Sequence, residues 1–221
     1  MVDLLKTLNI QAKEQALYIN ALTHASYAYE HHVENNERLE FLGDAVIELL
    51  MSDYLYHKDL DADEGQMTKK RAQSVCEEAL VIYATHIELE KYLRLGKGET
   101  QKGANKAMIA DALEALFGAV YLDLGFQATK KLFKRIIIPH LNQVFNIKDY
   151  KSLLQELIQS GGKRNVSYHI VSEKGPSHHR EFHALVKLDG TINLGEGRGR
   201  TKKEAEQNAA KQALKKGNYD S

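Results

Sequence analysis

"ERLEFLGDAVIELL", residues 37–50, sets Leu39, Leu42, Val46, Leu49 and Leu50 at the spacing of one apolar face of a helix. Glu40 and Asp44 fall among them, four residues apart and so neighbours on one side of that helix, where like charges repel. A second stretch, "MIADALEALFGAVYLD", repeats the pattern: Asp111 and Glu114 are three apart among Ile109, Leu113, Leu116 and Phe117. Ionised carboxylates withdrawn from water cost on the order of several kcal/mol each unless compensated, and crowding them raises their pKa values. Lysine or arginine partners are one form of compensation and a hard cation is another. Arg38 is the only basic residue within either motif, and its helical position points it away from Glu40.

The bulk of the chain bounds what these helices belong to. With 221 residues, 43% hydrophobic and 27% charged, it can bury a core and make one large domain or two ordinary ones. No apolar run approaches the roughly 18 residues of a membrane span, and "MVDLLKTLNIQAKEQ" lacks the apolar core of a secretory signal. The expectation is a soluble, cytoplasmic protein with no membrane partner. The single cysteine, Cys76, has no disulfide partner and no Cys or His neighbours at zinc-site spacing, and reads as a small core residue. Net charge is zero, but residues 1–148 hold 17 Lys+Arg against 21 Asp+Glu, a net of −4, and residues 149–221 hold 13 against 9, a net of +4. An acidic module tied to a basic, anion-seeking one is the reading.

The hydrophobic period changes near residue 146. Before it the chain is helical throughout, as in "EEALVIYATHIELEKYL", and its only proline there is Pro139. After it come a helix, "YKSLLQELIQS", stopped by Gly161 and Gly162, then alternating strands "VSYHIVSEK" and "REFHALVKLD". An Asp189-Gly190 turn leads into "TINLGEG", and "TKKEAEQNAAKQALKK" closes the chain as a helix. The fold class is therefore an all-α domain over residues 1–145 followed by an α+β (α-β-β-β-α) domain over residues 149–217, joined by the short tether "FNIKDY". Thr201 and Glu204 form a capping box that fixes the start of the last helix. Lys202 and Lys203 then stand in its first turn, where the helix dipole disfavours them unless an anion is present; a phosphate attracts dipole, N–H groups and lysines together. Arg198 and Arg200 lie in "GRGR", read as a glycine-rich approach that lets backbone come near a ligand.

With "GPSHHREF" (175–182) and "GRGRTKKEAEQNAA" (197–210), the C-terminal segment resembles the double-stranded RNA-binding domain. That resemblance implies docking across two minor grooves and the phosphates between them. It assigns Gln155 and Glu156 to one groove, His178 to the next, and Lys202 and Lys203, with Arg200 beside them, to the phosphates. Many members have a further lysine where this chain has Glu206. Beside an RNA-binding module, two carboxylate pairs point to a shared divalent site, and Mg²⁺ suits it because it takes carboxylate oxygens and bridges to substrate phosphates.

"NERLEFLGDAVIE", with "ALTHASY" upstream and "ADALEALFGAVYLD" downstream, resembles the ribonuclease III family. The resemblance implies a Mg²⁺-dependent endoribonuclease of double-stranded RNA, with Mn²⁺ able to substitute, that leaves 5′-phosphate and 3′-hydroxyl ends and processes ribosomal RNA precursors and other transcripts. By position, Glu40, Asp44, Asp111 and Glu114 become the metal carboxylates, with Asp44 and Glu114 as the catalytic pair. Glu37 and Glu64 match acids lining the same valley, and Phe41 a contact of the homodimer in which signature helices meet. His24 invites a general-base role but is read as a structural residue on an apolar helix. Two rivals stay open: a binding-only protein that does not cut, and a phosphoesterase of small substrates.

Overall fold

Helical periodicity rules the first half of the chain and strand alternation enters only after it. The computed structural model describes residues 1–145, 150–160, 164–175 and 180–217, and divides the chain into two units, Met1–Ile147 and Lys148–Ser221.

The first unit is built from helices α1 (Val2–Thr7), α2 (Gln15–Ala21), α3 (Ala25–His31), α4 (Glu37–Lys58), α5 (Glu64–Ser74), α6 (Glu77–His86), α7 (Lys97–Lys102), α8 (Lys106–Leu124), α9 (Phe126–Ile136) and α10 (Leu141–Phe145). α4 and α8, of 22 and 19 residues, form its most extensive helix pair. Ile47, Leu50 and Met51 of α4 and Leu113, Leu116 and Phe117 of α8 are fully buried there with Tyr18, Tyr83 and Phe133. Each fully buried large side chain contributes roughly 1.5–3 kcal/mol. Asp123, near the end of α8, accepts from the backbone N–H groups of Lys13 and Glu14 at 2.9 and 3.0 Å and from the Tyr18 hydroxyl at 2.8 Å, which pins the start of α2 onto α8. No described helix is long and apolar enough to cross a membrane.

Three sequence readings of this unit need correction. Leu49 is 56% exposed and does not share the buried face of α4; Ile47 and Met51 take its place in the core. The stretch 77–93 is not one helix: α6 ends at His86, Glu88 turns left-handed at φ 51°, and Leu89–Tyr92 form a 3-10 turn that buries Leu89. Cys76 is only half-buried, at the N-cap of α6, with its thiol donating to the Gln73 carbonyl at 3.3 Å.

The second unit is α11 (Tyr150–Ser160), an antiparallel sheet of order β1 (Val166–Lys174), β2 (Glu181–Leu188) and β3 (Ile192–Gly199), and α12 (Lys202–Lys216). Phe182, Ala184, Val186 and Leu188 alternate inward along β2 and meet Leu154 and the α12 alanines 205, 209, 210 and 213. The β2–β3 turn has positive φ at both Asp189 (50°) and Gly190 (72°), the backbone a tight hairpin needs. The glycines of β3 serve packing, which corrects the reading of "GRGR" as an approach to a ligand. A Cβ on Gly197 would stand 2.2 Å from the Ala209 nitrogen and one on Gly199 2.6 Å from the Ala205 nitrogen, so these residues admit α12 onto the sheet. Gly161 and Gly162, read as the stop of α11, and most of the tether lie outside the described residues.

Candidate active site

Two glycines set the geometry. Between Glu40 and Asp44, Gly43 lies so close to α8 that an added Cβ would fall 1.7 Å from the Glu114 carbonyl oxygen; a Cβ on Gly118 would fall 2.3 Å from that of Leu39. The backbones of α4 and α8 therefore meet where both helices carry their acids. Glu40, Asp111 and Glu114 each offer a carboxylate oxygen within 4.8 Å of the others, and all three are half-buried. Asp44, one turn on from Glu40, is exposed and stands outside that trio, yet it is the neighbour whose charge weighs most on Glu114. No ion pair among the described residues includes any of the four; the Lys70–Asp59 and Lys130–Asp53 pairs lie elsewhere.

Without a cationic partner, these groups resist ionisation. Burial first, then the charges of Asp44, Glu40 and Asp111, push the Glu114 carboxyl from 4.5 up to about 8. Glu40 is raised by burial and then by Asp111, Glu37 and Asp44. Asp111 is raised by burial, partly opposed by His24 and reinforced by Glu77. Three oxygen donors of one charge sign, close together and half-shielded from water, suit a hard divalent cation, which relieves a repulsion that His24 offsets only in part, at Asp111.

Residues 14–141 match the family model described as Ribonuclease-III-like, and residues 150–216 match the double-stranded RNA binding motif. The chain belongs to the ribonuclease III family. It is 55% identical over 216 residues to Ribonuclease 3 of Onion yellows phytoplasma (strain OY-M), covering 96% of this chain and 90% of the relative. To Ribonuclease 3 of Bacillus cereus (strain G9842) it is 47% identical over 216 residues, covering 95% and 88%. Its fold is similar to the nuclease domain of ribonuclease III from Campylobacter jejuni, in a structure whose subject is flexibility in a region involved in dimer formation: TM-score 0.58, 38% identity, covering 61% of this chain and 93% of that one. A second structure of the same nuclease domain aligns at TM-score 0.58 and 34% identity, covering 67% and 98%.

Of the other residues that the family resemblance singles out, Glu37 is exposed one turn before Glu40 and adds to the charge on it. Glu64 is not a member of the trio; it lies in the first turn of α5, with its carboxylate accepting from the Thr68 hydroxyl at 3.0 Å. Phe41 is 81% exposed. His24 is not on a helix; it caps α3, and its Nδ1 accepts from the Ser26 N–H at 3.2 Å. Sequence reading missed Glu77. This first-turn residue of α6 carries no signal of its own in the sequence, and only the packing of α6 against α8 brings it within electrostatic reach of Asp111.

In the RNA-binding unit, Gln155 and Glu156 are exposed on α11, which packs against α12. Arg200, Lys202 and Lys203 are exposed together at the start of α12. His178 lies outside the described residues. Half of the expected capping box forms there: Thr201 accepts from the Glu204 N–H at 3.1 Å, while the Glu204 carboxylate accepts from the Arg200 N–H at 2.7 Å and not from Thr201. Glu206 pairs with Lys151 of α11 at 2.5 Å, so the position where many family members have lysine binds the two helices together.

Proposed function

We propose that this ribonuclease III family member is a Mg²⁺-dependent endoribonuclease that hydrolyses phosphodiester bonds in double-stranded RNA, with Mn²⁺ able to replace Mg²⁺. The observation that carries the reading is the meeting of Glu40, Asp111 and Glu114 within 4.8 Å, none of them in an ion pair with a lysine or arginine among the described residues. Those three would hold the cation, and Asp44 adds negative charge at the exposed side of the site. A divalent cation bound there supplies Lewis-acid help to the phosphodiester and lowers the pKa of a water.

The protein's own contribution is placement. Gly43 and Gly118 fix the separation of the two acid-bearing helices, and the packed core behind Leu113 and Phe117 keeps the carboxylates from spreading apart. The Glu114 carboxyl, held up to about 8 by burial first and then by its acidic neighbours, would have to release its proton to hold a cation. Cleavage bonds a water oxygen to phosphorus and breaks the bond from phosphorus to the 3′ oxygen, which takes up a proton, leaving 5′-phosphate and 3′-hydroxyl ends. Capture of duplex RNA falls to the second unit, through Gln155 and Glu156 of α11, His178, and Arg200, Lys202 and Lys203 at the start of α12, because an acidic site repels phosphate on its own.

Phe41, Leu49 and Tyr56, all more than half exposed, fall within about 80° of one another around α4, an apolar stripe that supports pairing of two copies through this helix. A homodimer with two sites suits cutting both strands of a duplex, and precursors of ribosomal RNA and other structured transcripts in the cytoplasm are the substrates in this reading.

The test is incubation of a long perfect RNA duplex with Mg²⁺. The parent protein should cut it; Glu114→Gln and parent treated with EDTA should not, with a loss of about 100-fold or more. Equal cleavage by Glu114→Gln would remove the proposed site, and an intact duplex with the parent would favour a binding-only protein.

A further inference from the structure

The helix that follows α8 directly in the chain, α9, has a surface the proposed chemistry does not use. On α9, the positions of Lys130, Lys134, Lys131 and Arg135 span an arc of about 140°, while Thr129, Leu132, Phe133 and Ile136 are buried on the opposite side. The arc holds four cations and no carboxylate, in a stretch, residues 1–148, whose net charge is −4. A merely solvated helix face mixes signs.

Clefts flank this ridge on both sides. One, of about 560 Å³, is lined by Lys131 and Arg135 together with Lys13, has Asn9 and Gln11 as its uncharged polar groups, and has no acid in its wall. The other, of about 280 Å³, is lined by Lys130 and Lys134 together with Lys58. Its one acid, Asp53, is held by Lys130 at 2.5 Å, which leaves the charges of Lys58 and Lys134 in excess. Two cationic clefts thus straddle a helix roughly 10 Å wide.

From this arrangement we propose that α9 is a phosphate-binding ridge for RNA, contacting the backbone of structured RNA through Lys131, Lys134 and Arg135, in addition to the contacts of the RNA-binding motif; the choice of RNA as occupant rests on the function proposed above. Alternating cationic clefts match a polymer that repeats its anionic groups along two rows. A lipid surface fits poorly, because the apolar residues Leu132, Phe133 and Ile136 that would insert are at most 3% exposed.

The experiment compares the full chain carrying Glu114→Gln with the same chain further changed by Lys131→Gln, Lys134→Gln and Arg135→Gln. These three side chains are exposed, and the Lys130–Asp53 pair is left in place, so the fold is retained; thermal melting checks this. Binding of a long RNA duplex is titrated across a series of salt concentrations. The triple change should weaken binding about ten-fold or more and flatten the log–log salt dependence by about 2 to 3. Unchanged affinity and slope would overturn the proposal. So would binding of the parent, lost in the triple variant, to phosphatidylglycerol vesicles or to polyglutamate in place of RNA. In the catalytically intact background, the triple variant should cut duplex at the parent rate when RNA is saturating but with a raised KM. A parent that binds RNA through the ridge yet cuts nothing would defeat the proposed reaction and leave the ridge standing.

Discussion

Glu114 is the side chain most altered by its surroundings, and the alteration has a measurable sign. Its carboxyl titrates at about 8 in the folded chain against 4.5 in the ordinary state, so between those values the folded protein keeps a proton that the unfolded chain releases. Stability without metal should therefore be highest at the acid end and fall as pH rises from about 5 to about 8, since the folded state binds the additional proton. Thermal melts of metal-free protein should show this decline, Glu114→Gln should flatten it, and excess divalent cation at the upper end should restore the parent. A parent curve no steeper than that of Glu114→Gln would show that the acids do not strain one another. Glu40, Asp44, Asp111 and Glu114 were legible because like charges recur at helical spacing on apolar helices. The influence of Glu77 and His24 on Asp111 was not, because each reaches it through packing between elements distant in sequence.

At the level of elements, the site exists because α4 and α8 approach more closely than side chains allow. Gly43→Ala would place its Cβ 1.7 Å from the Glu114 carbonyl oxygen, so the helices must part. Overpacking of this kind costs about 1–3 kcal/mol or more, and the acids would separate with the backbones. Urea denaturation should show a lower midpoint and duplex cleavage should fall more than ten-fold; a variant as stable and active as the parent would mean that the close approach is not needed. The sequence displayed the helical period of α4 and α8 and the strand alternation of β1 and β2, because one face of each is buried. It did not display the break at Glu88, where burial of Leu89 in a 3-10 turn outweighs continued helix, nor the use of Gly197 and Gly199 to admit α12. A glycine in a basic segment reads alike whether it approaches a ligand or a helix.

At the scale of the whole molecule, the carboxylate cluster lies in the acidic unit, Met1–Ile147, and the double-stranded RNA binding motif in the basic one, Lys148–Ser221, which follows the split of charge along the chain. Pairing of two copies through the exposed stripe on α4 gives its own prediction. Phe41→Glu, at a position 81% exposed in the single chain, should leave the fold intact but shift sedimentation from dimer to monomer. A parent that sediments as a monomer would contradict the pairing. Beneath both units' roles stands the claim that the acids of α4 and α8 share a divalent cation. Titration of RNA-free protein with Mn²⁺, followed by electron paramagnetic resonance, tests it: the parent should bind Mn²⁺ competitively with Mg²⁺, and Glu114→Gln should bind about ten-fold or more weakly. Equal binding by parent and variant, or none by the parent at millimolar Mn²⁺, would mean that these carboxylates do not form a metal site.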